Sequence, residues 1–475
     1  MLDNINKQLQ ELYQQRDDIL HAIEKLEIQK QNSTQSYIIL EDAIYINIFH
    51  LSTKLIDQLK KLASFENPQI QILKNLRKPL YNTPKVINSW EEDKNSLILP
   101  RGLMRGVIEL FKSYGLNTLF EDKRLTIKKD FLEVQYTLRD EQQKAIDAIV
   151  KKDFSLCIAP PGFGKTLLGS KMIELRAVNS LIIVNKNMLL DQWIQRFVDY
   201  FGYEKNDIGY LGKGKNKLNG KLDVATMQSL KNNVDIIKNY SFVIVDECHH
   251  IPALTFEKII KSFKGKYILG LSATPNRKDG MEPLIYQQLG SIAYEVKSKR
   301  KINNKLEIVE SNIIIEADNF SDFIGELINN DNRNHLIVEQ IEKYHQRKIL
   351  LLTDRIEHIE NLELILRSKK INFTSIHGSQ KKKEQNENMI KISNSSIVLA
   401  TTSFFGEGID FPHLDTIIFA TPISYYGRLV QYLGRIGRDG SSCLAIDILD
   451  INCPFALSSY KKRKDGYKQL HYYVN

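Results

Sequence analysis

The segment Ala159-Pro-Pro-Gly-Phe-Gly-Lys-Thr166 lies between two apolar runs and constrains the fold more than any other part of the chain. The run before it, Phe154–Ile158, predicts a short strand, and the run after it, Leu167–Leu175, predicts the start of a helix. Two glycines between a strand and a helix allow a tight turn. Its backbone N–H groups and the helix N-terminus can then face an anion. The segment therefore predicts a phosphate-binding loop.

Two side chains of this loop carry the expected nucleotide chemistry. Lys165 can reach the β- and γ-phosphates, and the Thr166 hydroxyl can ligate magnesium. Ala159 stands where the motif usually has its first glycine, so a helix-capping glycine turn followed by a chance Gly-Lys-Thr is the alternative. The loop residues expected to contact ATP are Pro161, Gly162, Phe163, Gly164, Lys165 and Thr166.

Length and charge favour a multidomain protein with an anionic partner. The 475 residues suffice for about three domains, and the apolar content of 42% allows each of them a core. The formal net charge is +9 and the pI is near 9.0, which favours nucleic acid as a partner. A lysine- and asparagine-rich composition without such a partner is the alternative.

The cysteines and the N-terminus indicate the expected compartment. Cys157, Cys248, Cys443 and Cys453 form no CxxC pair and no zinc-ligand spacing, so we expect neither zinc nor disulfides. The first residues lack a basic region followed by an apolar stretch, and no apolar run approaches the length of a membrane span. We therefore expect the cytoplasm, or the host cytoplasm for a viral protein, and no membrane partner.

Residues 2–30 repeat apolar side chains with a seven-residue period. This pattern predicts a coiled-coil helix over residues 1–33, in which a polar break can set the register. Self-association or docking of a protein partner is one interpretation, and a long helix folded onto its own domain is the other. The residues at the two core positions are Leu2, Leu9, Arg16 and Ile23, and Ile5, Leu12, Ile19 and Leu26.

Four further segments are expected after this helix. Residues 36–130 have the pattern of a small α+β accessory domain. Strands and helices alternate from 131 to 300 and again from 308 to 455, which is typical of parallel α/β units. Residues 456–475 are basic and aromatic and are expected to form a C-terminal tail. The predicted fold class is α/β, with two parallel-sheet units in tandem.

The stretch Phe242-Val-Ile-Val-Asp-Glu-Cys-His249 supplies a second chemical element. Its four apolar residues predict a buried parallel strand, whose carboxyl end lies at the edge where α/β sheets bind ligands. Asp246 can hold magnesium through its water shell, and Glu247 can orient and deprotonate an attacking water. Acidic residues often close strands, so the pair gains meaning from its place after a phosphate loop.

Asp246-Glu-Cys-His249 resembles the DExH box of superfamily 2 helicases, and other segments resemble the family's motifs in the expected order. Leu138–Gln142 resembles the element that reads adenine, Val184–Trp193 motif Ia, Thr226–Leu230 motif Ic, and Leu269–Gly280 contains motif III. The resemblance assigns Arg139 and Gln142 to adenine, Lys186, Asn187, Thr226 and Gln228 to a nucleic-acid backbone, and His249, Ser272 and Thr274 to coupling.

The second unit carries the remaining motifs. Leu350–His358 resembles motif IV, Ile376–Gly378 a following backbone-contact element, Ala400–Asp410 motif V, and Gln431–Arg438 motif VI. Tyr432 stands where the family often has arginine, and no role is carried over to it. The resemblance assigns Arg355, His377, Gly378 and Thr401 to nucleic acid, Gly408 and Asp410 to the nucleotide, Gln431 to coupling, and Arg435 and Arg438 to arginine fingers.

These motifs are most similar to those of the XPB and UvsW group and of helicases from phage and bacterial conflict systems. The resemblance implies two RecA-like lobes with ATP and Mg²⁺ between them. It also implies a 3′-to-5′ DNA motor that remodels forked, branched or R-loop DNA. The alternatives are the motor subunit of an anti-phage defence or restriction complex docking through the coiled coil, and an RNA helicase. The expected catalytic residues are Lys165, Asp246, Glu247, Arg435 and Arg438, with Thr166 and Asp246 as metal ligands.

Residues 62–124 resemble the segment before the motor in the conflict-system helicases. This resemblance implies a small domain that contacts duplex or branched DNA. A structural brace on the first lobe is the alternative.

Overall fold

The computed structural model describes residue 10 and residues 12–23, 36–77, 79–81, 83–248, 253–273, 279–296, 304–405, 413–424, 426–437 and 442–474. Residues 12–23 form helix α1, and every one of its side chains is exposed. The described part of the predicted coiled coil is therefore not packed onto another domain. Most of the remaining heptads lie outside the described residues, so the coiled coil stays a prediction.

The accessory region is a small mixed sheet covered by helices. Its main sheet has the strand order β5-β6-β2-β1-β7, and β3 pairs separately with β4. Alternate residues of β1 and β2 point inward and pack with the buried faces of α2 and α4. The elements are β1 (Ser36–Leu40), β2 (Ile44–Asn47), α2 (Thr53–Leu62), β3 (Ser64–Glu66), α3 (Pro68–Asn75), β4 (Val86–Asn88), β5 (Glu91–Glu92), β6 (Ser96–Leu99), α4 (Met104–Ser113) and β7 (Thr118–Asp122).

A buried junction joins this region to the next unit. Arg101 is 1% exposed, and its Nη1 donates to the Gly265 carbonyl at 2.9 Å. An ideal Cβ at Gly102 would lie 2.5 Å from the backbone nitrogen of Gly290, so the close approach requires glycine. Leu125 then forms a bridge with Gly265. The segment just before the predicted boundary at 130 therefore already runs along the first α/β unit.

The first α/β unit is an eight-stranded sheet with helices on both faces. Its strand order is β11-β10-β12-β9-β13-β14-β8-β15, and its pairings are parallel apart from that of β10 with β11. Because β8, β14 and β13 are neighbours, the segments that follow them meet at one edge.

The elements of this unit are α5 (Asp140–Ile149), β8 (Phe154–Ile158), α6 (Lys165–Arg176), β9 (Ser180–Val184), α7 (Asn187–Phe201), β10 (Gly209–Gly212), β11 (Lys215–Lys217), β12 (Leu222–Thr226), α8 (Met227–Lys231), β13 (Phe242–Asp246), α9 (Ala253–Ile260), β14 (Tyr267–Ser272), α10 (Glu282–Leu289) and β15 (Ile292–Glu295). Strands β9, β12 and β13 are buried along their whole length, as expected for a parallel sheet covered on both faces.

The second α/β unit is a seven-stranded parallel sheet with the order β18-β19-β17-β20-β21-β16-β22. It begins at Asn304, slightly before the predicted boundary at 308. Its elements are β16 (Asn304–Ser311), α11 (Phe320–Ile328), α12 (Asp331–Lys343), β17 (Ile349–Thr353), α13 (Ile356–Ser368), β18 (Thr374–Ile376), α14 (Lys382–Ile392), β19 (Ile397–Thr401), α15 (Thr402–Phe405), β20 (Thr416–Phe419), α16 (Tyr426–Leu433), β21 (Leu444–Asp450), α17 (Pro454–Gln469) and β22 (Tyr472–Val474).

The C-terminal segment differs from the predicted tail. Residues 456–475 contribute most of α17 and all of β22, which pairs in parallel with β16. Two of the basic and aromatic residues that suggested a tail, Arg463 and Tyr467, are 1% exposed and bind Asp447. Burial of these side chains makes the segment part of the second unit.

The predicted fold class is confirmed, since the two parallel-sheet units are RecA-like lobes. The lobes contact each other, because Met188 of the first packs against the core of the second. Within the described ranges, no helix is both long and apolar enough to span a membrane.

Candidate functional site

The phosphate loop forms as predicted between β8 and α6. Gly162 and Gly164 have φ angles of 78° and 96°, a region that favours glycine. An ideal Cβ at Gly164 would also lie 2.5 Å from Gln142 Nε2. Helix α6 begins at Lys165, and its first N–H groups have no partners within the helix. The loop can therefore present backbone donors to phosphate oxygens.

Ala159 has a structural explanation. It is 1% exposed, and its N–H donates to the Ser272 carbonyl at 2.9 Å, so it continues the pairing of β8 with β14. The sharp turns of the loop come later, at the two glycines. Glycine is therefore not needed at position 159.

The carboxylates predicted from the DExH box lie beside the loop lysine. Lys165 Nζ is 3.2 Å from Glu247 Oε1 and also donates to the Ala159 carbonyl at 3.2 Å. Glu247 has a φ angle of 47°, which is unusual for a residue with a long side chain. The turn after β13 thus directs Glu247 toward the phosphate loop, at a cost in backbone energy.

Asp246 is buried and held by two donors. Its Oδ2 accepts from the Trp193 indole N–H at 2.7 Å, and its Oδ1 accepts from the Glu247 backbone N–H at 3.0 Å. Burial, together with the charge of Glu247, raises the pKa of Asp246, while Lys165 opposes the shift. The site therefore holds two adjacent carboxylates with one neighbouring lysine.

This arrangement fits a divalent cation bound with a nucleotide. Two carboxylates and one ammonium leave an excess negative charge, and a cation would relieve it. Asp246 and the half-buried Thr166 are the residues that would hold Mg²⁺. When bound, the ion would neutralise charge on the phosphates.

The adenine candidates lie against the phosphate loop. Arg139 Nη2 and Gln142 Nε2 both donate to the Phe163 carbonyl at 2.6 Å. Gln142 Oε1 accepts from the Arg139 backbone N–H at 2.9 Å, which caps α5. These two side chains therefore connect the start of α5 to the loop. Their contact with adenine stays a prediction.

The second lobe approaches the loop through the segment that resembles motif VI. An ideal Cβ at Gly434 would lie 3.1 Å from Pro161 Cδ. Next to it, Arg435 is 7% exposed, donates to the Phe405 carbonyl and stacks on the Phe405 ring at 5.5 Å. Its guanidinium is thus held near the cleft by its own lobe.

The remaining candidates for coupling and for the arginine fingers lie in different parts of the structure. Ser272 ends β14 beside the loop, and Gln431 is buried on α16. Tyr432, to which no role was assigned, donates to the Thr402 carbonyl at 3.2 Å from within the core. The candidates outside the described residues are His249, Thr274, Gly408, Asp410 and Arg438.

The first-lobe nucleic-acid candidates form one group. Lys186 and Asn187 are exposed at the start of α7. An ideal Cβ at Gly212 would lie 3.2 Å from both Asn187 Oδ1 and Thr226 Cγ2, so the two motifs meet across β10. The Thr226 hydroxyl caps α8 and donates to Ser229 Oγ at 2.8 Å, which leaves exposed Gln228 as the outward side chain of that motif.

The second-lobe nucleic-acid candidates lie after neighbouring strands. Arg355 is exposed at the start of α13 and donates to Ser321 Oγ at 3.3 Å. His377 Nδ1 lies 2.8 Å from Ser379 Oγ, and Gly378 is exposed. Thr401 is 3% exposed, and its hydroxyl accepts from the Phe404 N–H at 3.4 Å. Arg355 and Gly378 are thus the more accessible of the four.

Sequence reasoning missed two residues near these groups. Trp193 contacts Asp246, although it was noted only as the last residue of a backbone-contact motif. Lys213 donates its backbone N–H to Asn187 Oδ1 at 3.2 Å and forms an ion pair with Asp191. The Gly212-Lys-Gly214 turn could have indicated Lys213, because glycines often flank a ligand-facing backbone.

Two family models match the chain. The model described as "Type III restriction enzyme, res subunit" matches residues 135–277, and "Helicase conserved C-terminal domain" matches residues 332–440. All of the candidate nucleotide, coupling and nucleic-acid residues lie within these two ranges.

Similar proteins include viral proteins named as helicases and one protein named as a DNA translocase. "Probable helicase D10" of Escherichia phage T5 is 26% identical over 70% of this chain and 74% of its own length. "DNA 3'-5' translocase XPB2" of Sulfurisphaera tokodaii is 23% identical over 69% and 86%, respectively. "Putative ATP-dependent RNA helicase L396" of Acanthamoeba polyphaga mimivirus is 25% identical over 76% of this chain and 75% of its own length.

A solved structure, S. cerevisiae Dbp5 bound to RNA and ADP BeF3, superposes with a TM-score of 0.53. It covers 79% of this chain and 93% of Dbp5 at 12% identity. At this identity the likeness supports the two-lobe fold alone.

Proposed function

Since the chain is an ATP-hydrolysing superfamily 2 helicase of the XPB/UvsW type, we propose that it is a DNA-dependent motor. The motor would move 3′ to 5′ along one strand and remodel forked, branched or R-loop DNA. ATP is its substrate and Mg²⁺ its cofactor.

The observation that carries this proposal is the contact between the phosphate loop and the second lobe. Pro161 lies against Gly434, inside the segment that contains both arginine-finger candidates. A nucleotide in the loop would therefore sit between groups from two lobes. Hydrolysis then depends on lobe closure, and closure moves the nucleic-acid candidates of the two lobes relative to each other.

Each residue at this cleft has a proposed task. Lys165 stabilises phosphate charge, and Glu247 orients and deprotonates the attacking water. Arg435 and Arg438 neutralise the charge that develops on the transferring phosphoryl group. Arg139 and Gln142 read adenine with complementary donors and acceptors.

Two substitutions test the site. We expect Lys165→Ala to abolish nucleic-acid-stimulated ATPase activity, whereas Glu247→Gln should lower kcat by about 10²–10⁴-fold and retain nucleotide binding. Rates would be measured with a coupled assay and binding with a fluorescent ATP analogue. A near-wild-type rate for Lys165→Ala would disprove the assignment of the loop. Equal loss of binding in both variants would disprove the role of Glu247 as base.

The choice of DNA rests on the XPB-like motifs, on the translocase XPB2 among the similar proteins, and on the net charge of +9. An RNA helicase is the second candidate, favoured by the relative named a putative ATP-dependent RNA helicase. ATPase assays with single-stranded DNA, forked DNA and RNA separate the two. Stimulation by RNA alone would overturn the DNA proposal.

We further propose that the N-terminal helix is a docking element, either for a second copy or for a partner in a defence or restriction complex. The heptad residues Leu12, Ile19 and Ile23 are 63%, 59% and 46% exposed, which leaves an apolar stripe uncovered. Light scattering of the full chain and of a chain lacking residues 1–33 tests self-association. Monomers in both cases would leave only the partner interpretation.

The accessory domain combines two proposed roles. Its buried junction with the first lobe, and the ion pairs of Lys264 with Glu41 and Lys261 with Glu91, support a brace. The exposed aromatic residues Phe49 and Tyr81 are suited to stacking on nucleic-acid bases. Tyr81→Ala should weaken forked-DNA binding and leave the melting temperature unchanged; unchanged affinity would leave only the brace. The four cysteines, all within the described residues, are buried and form no disulfide bond, which supports a cytoplasmic location.

A further inference from the structure

Trp193 connects two parts of the machinery that motif analysis treats separately. Its indole N–H donates to Asp246 Oδ2 at 2.7 Å, and its helix α7 begins at Asn187, one of the nucleic-acid candidates. We infer that Trp193 is a positioning residue that holds the Mg²⁺-binding carboxylate and transmits nucleic-acid binding to it. This inference rests on the proposed function of the site.

The indole fills a narrow space between α6 and β13. An ideal Cβ at Gly169 of α6 would lie 2.8 Å from Trp193 Cη2 and 3.3 Å from Ile244 Cδ1 of β13. Trp193 is 2% exposed, and its ring stacks at 5.4 Å on Phe197 in a tilted geometry. Glycine at 169 is therefore what allows the ring to reach between the phosphate-loop helix and the strand that ends in Asp246.

The hydrogen bond favours one state of the carboxylate. An indole N–H only donates, so it stabilises the ionised form of Asp246 rather than the protonated form. The Glu247 N–H occupies the other oxygen, and together the two donors fix the plane of the carboxylate. Groups that orient a metal-binding side chain in this way typically change metal affinity or activity about 10–100-fold when they are removed.

Helix α7 supplies the connection to nucleic acid. Trp193 follows Asn187 by six residues, which is about 9 Å along a helix. Lys186 and Asn187 are exposed at its start, where N–H groups can face a backbone phosphate. A phosphate bound there would pull on a rigid helix that carries the indole. The orientation of Asp246 would change with it.

The first test removes the donor. We expect Trp193→Phe to raise the Mg²⁺ concentration for half-maximal ATPase activity about 10–100-fold and to reduce stimulation by single-stranded DNA. Added Mg²⁺ should restore much of the unstimulated rate. Trp90→Phe is the matched control, because Trp90 is the only other tryptophan and its indole donates to Ser64 Oγ at 3.2 Å in the accessory domain. That control should behave as wild type.

A second variant tests the same contact without changing Trp193. Gly169→Ala would place a methyl group against the indole, while alanine itself favours a helix by about 1 kcal/mol over glycine. We expect the same rise in Mg²⁺ requirement and a melting temperature close to that of wild type, because the gain in helix propensity offsets part of the packing strain. Wild-type Mg²⁺ dependence in both variants would overturn the inference. A loss of rate in Trp193→Phe that excess Mg²⁺ does not restore would also overturn it, because that result describes a core residue.

Fluorescence separates this inference from the proposed function. In Trp90→Phe, Trp193 is the sole tryptophan, so all tryptophan emission comes from the residue that contacts Asp246. Mg²⁺ with ADP, and then single-stranded DNA, should each change this emission. If nucleotide binds but the emission does not respond, the inference fails even when the ATPase is nucleic-acid-dependent. If emission responds to Mg²⁺ and ADP but no nucleic acid stimulates hydrolysis, the motor proposal and the transmission step fail, and the holding role stands.

Discussion

Buried carboxylates occur in both lobes, but their surroundings are opposite. In the second lobe, Asp447 accepts two hydrogen bonds from Arg463, at 2.7 and 2.8 Å, and Asp450 accepts two from Arg333, at 2.7 and 3.2 Å. The side chains of both pairs are at most 1% exposed. Each negative charge is thus matched by a guanidinium within the fold.

In the first lobe, the matching is incomplete. Asp246 is held by neutral donors, and Lys165 is the cation beside both Asp246 and Glu247. Burial among neutral donors is not in itself unusual in this lobe, because Asp223 is held in the same way by two backbone N–H groups and the Tyr240 hydroxyl. Asp246 differs in having Glu247 beside it, and two adjacent carboxylates repel each other in the interior. The contrast indicates that the second-lobe pairs stabilise the fold, whereas the first-lobe carboxylates are suited to a cation.

The largest expected effect is on the second-lobe pairs. Arg463→Leu should lower the free energy of unfolding by about 3–5 kcal/mol, because it leaves Asp447 buried and uncompensated. Replacing Asp447 by leucine as well should recover much of this loss. Chemical denaturation of the three proteins measures both effects. If Arg463→Leu were as stable as wild type, the buried ion pair would not contribute to the stability of the fold.

Loss of the first-lobe charge should affect stability far less. Asp246→Asn should change the free energy of unfolding in EDTA by no more than about 2 kcal/mol, because removing the charge beside Glu247 relieves repulsion while one of the two hydrogen bonds to the carboxylate is lost. It should also abolish stabilisation by Mg²⁺ with ADP. Thermal melts with and without the ligand measure both. If Asp246→Asn destabilised the protein as much as Arg463→Leu does, the proposed difference between the carboxylates of the two lobes would be wrong.

A smaller effect is expected from a neutral buried group of the second lobe. His358 lies 2.8 Å from Thr353 Oγ1 and 2.9 Å from Asn334 Oδ1, and burial lowers its pKa to about 3. The unfolded chain binds a proton near pH 6.5, so the stability contributed by neutral His358 is present above that pH and is lost below it. Acidification from pH 6.5 to 5.5 should cost about 1 kcal/mol more in wild type than in His358→Gln. The melting temperatures of the two proteins would be measured across this pH range. If they fell equally with acidification, the lowered pKa of His358 would be contradicted.

The parallel-sheet units were predictable because their strands are continuous apolar runs, such as Phe242–Val245, followed by chemically distinctive turns. The placement of Lys165 beside Glu247 follows from the same logic, because β8 and β13 end at one edge. Both predictions succeeded because the local sequence pattern of each segment and its position in the sheet indicate the same arrangement.

Other contacts could not be read from the chain. The hydrogen bond between Trp193 and Asp246 depends on the packing of α7 across the sheet, which no local pattern specifies. The C-terminal segment was predicted to be a tail because basic and aromatic residues such as Arg463 and Tyr467 are often exposed. In the structure both side chains are buried and bind Asp447. Buried polar pairs distant in sequence are therefore the main source of error.

The junction at Arg101 and Gly102 has a practical consequence. Its close backbone contacts make the accessory domain a rigid extension of the first lobe. A fluorescent dye on the exposed face of that domain would therefore report the position of the first lobe from outside the cleft. Paired with a second dye on the exposed face of α14, it would provide a distance sensor for each catalytic cycle without any label near the nucleotide.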